Sequence, residues 1–277
     1  MIGRYEDEIG IKIFNRKTKS VSITSEGEKI IDSLRIVINE IEFLNNVIQE
    51  PKGELVGELK IGIIPAVAPY LLPLLLSKFA NRFPNVNIIV KEMTTSQIQE
   101  ALKNRSVDIG LLAIPLADND LVERELYKDP FLVYDCSGNK INSKIFVENL
   151  DYSKLWLLEE GHSLRTQVFQ ICELSSQNSK RNLKFEFESG SMGSLLNFTK
   201  ASKGITIIPY LASLGFPTDD LISLVEFDHP ISVRSVGLIT HKFFVKEQLA
   251  KELQKTIQES VKRFIPEIID SQMMKPV

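Results

Sequence analysis

The chain has 277 residues, too many for one small core and suited to two or three modest domains. Its 43% hydrophobic and 25% charged residues are ordinary for a soluble globular protein. A net charge of -3 excludes a polycation, so any contact with nucleic acid has to come from a local basic patch.

The two cysteines, Cys136 and Cys172, are too widely spaced for a disulfide framework and fit a reducing cytoplasm. The first residues are acidic and polar, so no signal peptide is expected. The most apolar stretch, 69–79, is too short to span a bilayer and contains a proline. A cytoplasmic protein without membrane contact is expected.

Within residues 1–24, Ile9, Ile11, Ile13 and Phe14 form a short apolar cluster. The cations Arg16, Lys17 and Lys19 follow, and Val21 and Ile23 then alternate with Ser22 and Thr24. Two short strands joined by a basic turn make a β-wing, whose cations can sit on DNA phosphates. The same residues also describe a solvated basic turn. Ser25-Glu26-Gly27-Glu28 matches the S-x-x-E capping box and starts a helix that Pro51 ends. Its apolar positions Ile30, Leu34, Val37, Ile41, Leu44 and Ile48 are spaced four, three, four, three and four, a heptad seam widened by Ile31, Ile38 and Val47. Pairing with a second copy is the economical way to bury it; packing against its own chain is the alternative.

After Gly53 and Gly57, the stretches 59–65, 86–92 and 107–113 read as strands, and 69–83 and 95–104 as helices. That is β-α-β-α-β, the pattern of a parallel sheet with right-handed crossovers. The pattern repeats more loosely: strand 155–160, helix 163–174, strand 184–189, helix 191–202 closed by Gly204, and strand 205–209. A strand over 233–240 and an amphipathic helix over 245–264 complete the chain. The expected fold class is α/β, a two-lobed effector domain of periplasmic-binding-protein type. Subdomain I spans 53–130 plus 233–277 and subdomain II 131–232. A dimerising linker helix over 25–52 and a partial winged helix-turn-helix over 1–24 precede them. Ligands in such folds sit between the lobes, near helix N-termini, here those at Pro65, Thr95, Ser163 and Ser191.

No G-x-S-x-G, H-E-x-x-H, P-loop or G-x-G-x-x-G pattern is present, and His162, His229 and His241 are scattered. Neither an enzyme nor a metal or other cofactor is expected. A solute-binding protein would share the lobes, but the basic wing and heptad helix would have no purpose there.

Three stretches carry a family resemblance. EDEIGIKIFNRKTKSVSITSEGEKI (6–30) resembles the end of the winged helix-turn-helix of LysR-type transcriptional regulators, with its E-x-x-x-G, L/I-F-x-R and L-T-x-x-G segments. GELKIGIIPAVAPYLLPLLLSKFANRFPNV (57–86) resembles the start of their effector domain. LLEEGHSLRTQVFQIC (157–172) resembles the reactive loop of the peroxide-sensing, OxyR-like branch. The resemblance implies a dimer or tetramer that binds promoter DNA, works with RNA polymerase, and reads peroxide or another small effector.

It also implies a set of site residues. Arg16, Lys17, Lys19 and Thr24 fall where the family contacts DNA; Ala66, Thr95, His162, Ser163, Arg165 and Cys172 fall in the effector or redox pocket. In the branch, a cysteine in G-H-C-x-R reacts with hydrogen peroxide and then bonds to a second cysteine. Here Gly161, His162 and Arg165 match, Cys172 stands at the second position, and Ser163 replaces the reactive cysteine. Ala66 stands where the family has threonine, and Gly193 where members often carry glutamate. A serine stays protonated and forms no sulfenic acid, so the two-cysteine switch is not expected to run. Arg4 to Glu8 correspond to the tail of the recognition helix, so the wing is expected to add phosphate affinity rather than base readout. A dimerising, effector-binding protein without DNA contact is the alternative.

Overall fold

The computed structural model describes residues 2–15, 21–49, 55–138, 144–159, 162–172, 189–229, 231–266 and 273–274. Gly53 and all of the expected strand 184–189 except Ser189 lie outside the described residues.

Helix α1 (Ile2–Ile9) stops at Gly10, whose φ of 69° is the left-handed conformation that glycine adopts without strain. The chain then folds back over α1. The buried Glu6 carboxylate accepts the amides of Ile13 at 2.8 Å and Phe14 at 2.9 Å, which fixes the turn. Strands β1 (Phe14–Asn15) and β2 (Ser22–Ile23) pair antiparallel, with Phe14 opposite Ile23.

Helix α2 (Ser25–Gln49) begins where the capping box places it, with one correction. Thr24, not Ser25, takes the amide of Gly27, at 2.9 Å, while Ser25 Oγ turns to Glu26. The reason is Thr24's fixed position: its hydroxyl also donates to the Lys12 carbonyl at 2.6 Å, which anchors the helix start to the wing. Gly27 must be glycine because a Cβ there would collide with the Ile13 carbonyl oxygen.

The sheet that follows is mixed. β3 (Gly57–Ile63) pairs in parallel with β4 (Val86–Glu92) and with β5 (Ile109–Ile114), as the β-α-β-α-β reading requires. Helices α3 (Ala68–Arg82) and α4 (Thr95–Lys103) make the crossovers. Beyond β5 the sheet turns antiparallel: β9 (Ile231–His241) lies beside β5 and beside β6 (Leu121–Asp135). β6 also pairs antiparallel with β7 (Ile205–Pro209) and β8 (Leu224–Glu226). β10 (Met273–Met274) runs parallel to the start of β9.

Two apolar cores divide the domain. The first gathers Leu59, Ile61, Leu71, Phe79, Ile98, Leu111, Val236 and Leu253 among others, from β3, β5, α3, α4, β9 and the closing helix α9 (Glu247–Val261). The second gathers Phe131, Val133, Trp156, Leu164, Leu195 and Ile207. It is covered by α5 (Ser163–Ile171) and α6 (Met192–Ala201), with the short helices α7 (Tyr210–Ser213) and α8 (Thr218–Leu221) closing the chain's path back. We call these lobes I and II. β6 passes from one to the other: Leu126 and Tyr127 belong to the first core, Phe131 and Leu132 to the second.

The stretch 155–160 is not a strand among the described residues. Leu155 bridges Ile205 and Leu158 bridges Ser189, two different partners, so the segment never runs alongside one neighbour. No helix among the described residues is long and apolar enough to cross a membrane.

Candidate functional site

The two lobes meet at a buried ion pair. Arg234 on β9 and Asp129 on β6 stand opposite each other in the antiparallel register, and both are 0% exposed. Arg234 donates to Asp129 Oδ2 from Nε at 3.2 Å and from Nη2 at 2.9 Å. Its Nη2 also donates to the Ala66 carbonyl at 3.2 Å, and Asp129 Oδ1 accepts the amide of Leu211 at 3.0 Å. Burial raises the Asp129 carboxyl pKa, and the guanidinium opposes that rise. Two strands, the turn before α3 and the start of α7 are thereby tied at one point. Arg234 Nη1 has no hydrogen-bond partner among the described residues, and neither does the buried Thr95 Oγ1 at the start of α4. Tyr70 packs against both cores, and burial pushes its phenol up to about 12.

Thr95 begins α4 one residue after its cap. The Thr94 side chain accepts the Gln97 amide, and the Gln97 side chain accepts the Thr94 amide at 2.9 Å. Ala66 is buried in the second core although its chain segment leads into α3 of the first.

In lobe II the loop before α5 is held from below. Arg165 Nη1 donates to the Leu158 carbonyl at 2.6 Å, and its guanidinium lies 5.0 Å from the centre of the Phe169 ring. Arg165 is therefore committed to the loop and to its own helix. His162 precedes the helix in an extended conformation and lies 3.7 Å from a Glu159 carboxylate oxygen. Ser163 is the first residue of α5 and is half-buried. Cys172 stops the same helix at its far end. Nine residues at about 1.5 Å each put roughly 13 Å between the two positions along the axis. A disulfide needs Cα atoms less than about 7 Å apart, so even a cysteine at 163 would have to unravel α5 to reach Cys172. Burial pushes the Cys172 thiol up to about 12, against a hydrogen bond from Tyr152 that lowers it. Burial also raises Cys136. Neither is a thiolate near neutrality.

The structure thus joins Ala66 to Arg234 and Asp129, and groups His162, Ser163 and Arg165 at the head of α5 with Cys172 at its foot. Among the described residues, Thr95 Oγ1 makes no hydrogen bond to the α5 loop. Arg16, Lys17, Lys19 and Gly161 lie outside the described residues. The Thr24 hydroxyl is engaged by Lys12 and Gly27. Sequence reasoning missed Arg234 and Asp129. The available signal was a lone arginine in the apolar run 231–241; Asp129 stands among the charges of 123–129 and gives none.

The profile of the LysR substrate binding domain matches residues 52–262. A hydrogen peroxide-inducible genes activator of Haemophilus influenzae is 28% identical over 240 residues, covering 86% of this chain and 78% of its own. The DNA-binding transcriptional dual regulator OxyR of Escherichia coli K12 is likewise 28% identical over 240 residues, covering 86% of this chain and 77% of its own. A full-length OxyR variant from Pseudomonas aeruginosa superposes with a TM-score of 0.75 at 25% identity, over 93% of this chain and 86% of that one. The fold, the two lobes and the matched span agree: the chain belongs to the LysR family and is similar along most of its length to OxyR-type regulators.

Proposed function

We propose that this LysR-type chain binds promoter DNA as a dimer or tetramer and reads a small effector between its lobes without the two-cysteine switch. The observation that carries the reading is the pairing of a hydroxyl at the head of α5 with a buried, protonated thiol at its foot. Peroxide reduction needs a thiolate, and neither cysteine supplies one. What remains at the site suits recognition. Arg234 Nη1 and Thr95 Oγ1 are buried polar atoms without hydrogen-bond partners among the described residues, and they favour a small polar or anionic effector, peroxide included, as a ligand. The cations Arg16, Lys17 and Lys19, with Thr24, would meet phosphates, and the exposed seam of α2 would join two copies. Contact with RNA polymerase and a cytoplasmic location complete the proposal, as the sequence resemblance implies.

Fluorescence anisotropy over a salt series tests it, with random DNA and a fragment from upstream of the chain's own gene. The expected result is preference for the promoter fragment, a steep loss of affinity with salt, and the same curve after low peroxide. Weak and equal binding to both DNAs would leave a dimerising, effector-binding protein. A peroxide-induced disulfide between Cys136 and Cys172 would overturn the reading of the switch.

A further inference from the structure

Arg105 follows Asn104, the cap of α4, and is one of the few non-glycine residues held in the left-handed region, at φ 57°. Arginine gains nothing from that conformation by itself. What it gains is a contact: its Nη1 lies 2.7 Å from Glu40 Oε1 on α2, and its side chain is 19% exposed. Helix α2 thus touches lobe I through a charge pair on one side. Beside it, Ile38 lines a cavity of about 360 Å³ with Ile61, Ile89 and Val107. Glu40 also flanks the heptad stripe, between Val37, Ile41 and Leu44, which are all more than half exposed.

Helix α4 runs towards this contact from Thr95, which the proposed function places at the effector site. Its first residue is Thr95, whose hydroxyl has no partner among the described residues, and its inner face, Ile98, Ala101 and Leu102, is packed into the first core. Nine helical residues make a rod of about 14 Å. At its far end, Arg105 and Val107 are pinned by backbone bonds to Leu102 and Ala101, both at 3.2 Å. Strand β9 makes a second connection. It carries Arg234 between the lobes and ends at His241, which feels the charges of Arg105 and Glu40.

We propose that the Glu40–Arg105 pair is a latch by which lobe I holds the linker helix, and that α4 carries the state of the interlobe site to it. The latch itself needs neither DNA nor a known effector, so its failure would leave the proposed function standing; the role of α4 rests on that reading, through Thr95.

Hydrogen–deuterium exchange of α2 in the whole chain, at fixed protein concentration, tests it. Arg105→Gly removes the guanidinium and suits the left-handed backbone, so the thermal midpoint should hold or rise. Exchange in the middle of α2 should nevertheless quicken about two- to fivefold, the range of a half-exposed ion pair. Glu40→Arg should do the same, and Glu40→Arg with Arg105→Glu should restore most of the protection. A bulky Thr95→Phe, or Thr95→Leu where phenylalanine prevents folding, should shift α2 exchange in the parent chain and not in the Arg105→Gly background. Unchanged α2 exchange in Arg105→Gly would overturn the latch. A Thr95 effect that persists undiminished without Arg105 would overturn the role of α4.

Discussion

At the scale of single residues, chemistry is decided by where protons sit. Ser163 occupies the head of a helix, where the field of the aligned peptides favours an anion, yet a hydroxyl's acidity is too weak for about 0.3–1 kcal/mol of helix-end stabilisation to ionise it near neutrality. Cys172 has the right element in the wrong environment: it is 7% exposed, and burial penalises its charged form. The thiol should therefore be inert in the folded chain. With a thiol-specific disulfide reagent at about pH 7, native protein should release signal slowly and incompletely. The same protein in denaturant should react at both cysteines at once. Rapid titration of Cys172 in the native chain, located by mass spectrometry, would show that α5 opens readily and would reopen a redox role.

At the scale of elements, α2 shows how a pattern becomes a surface. Leu34, Val37, Ile41 and Leu44 follow the heptad, and all four are exposed, from 39% to 58%. A stripe of that kind on a surface helix calls for a partner. Ile41→Lys removes one apolar side chain from each of two copies, about 1.5–3 kcal/mol apiece. Association should weaken by about two orders of magnitude or more, which sedimentation equilibrium would detect. A variant that stays fully dimeric would move the interface from α2 to the lobes. The heptad and the β-α-β-α-β run were legible because long apolar runs with uninterrupted period dictate them. β6 was not. Its sequence, LVERELYKDPFLVYD, interrupts the alternation with Glu123, Arg124, Glu125, Lys128 and Asp129 and contains Pro130, so neither period stands out. Those charges serve tertiary contacts: Arg124 pairs with Glu247 of α9 at 2.8 Å, and Asp129 meets Arg234. The cap of α2 was displaced by one residue for a related reason, since Thr24 is held by Lys12, which no local motif reveals. Of the candidate site, the helix start at 162–165 was legible in the sequence, whereas the ion pair between lobes depends on a register 105 residues long in sequence.

At the scale of the whole molecule, β6 and β9 make one body of two cores. The Asp129–Arg234 pair lies where β6 passes from the first core to the second, and it holds the Ala66 and Leu211 segments besides. Such a pair need not add net stability, because removing two charges from water costs about as much as their attraction returns. Breaking it is another matter. Asp129→Asn leaves a guanidinium at 0% exposure facing a neutral amide, and the loss should be about 3–5 kcal/mol. Replacing both partners at once, Asp129→Leu with Arg234→Met, should cost far less, because no charge remains buried alone. The distribution of the loss is as informative as its size. Both lobes share β6, to which β9 is paired, so Asp129→Asn should lower one cooperative calorimetric transition for the whole effector domain. If instead one lobe melted early while the other kept its midpoint, the lobes would be independent folding units. An effector held between them would then act by bringing two separate bodies together, rather than by shifting a shared one.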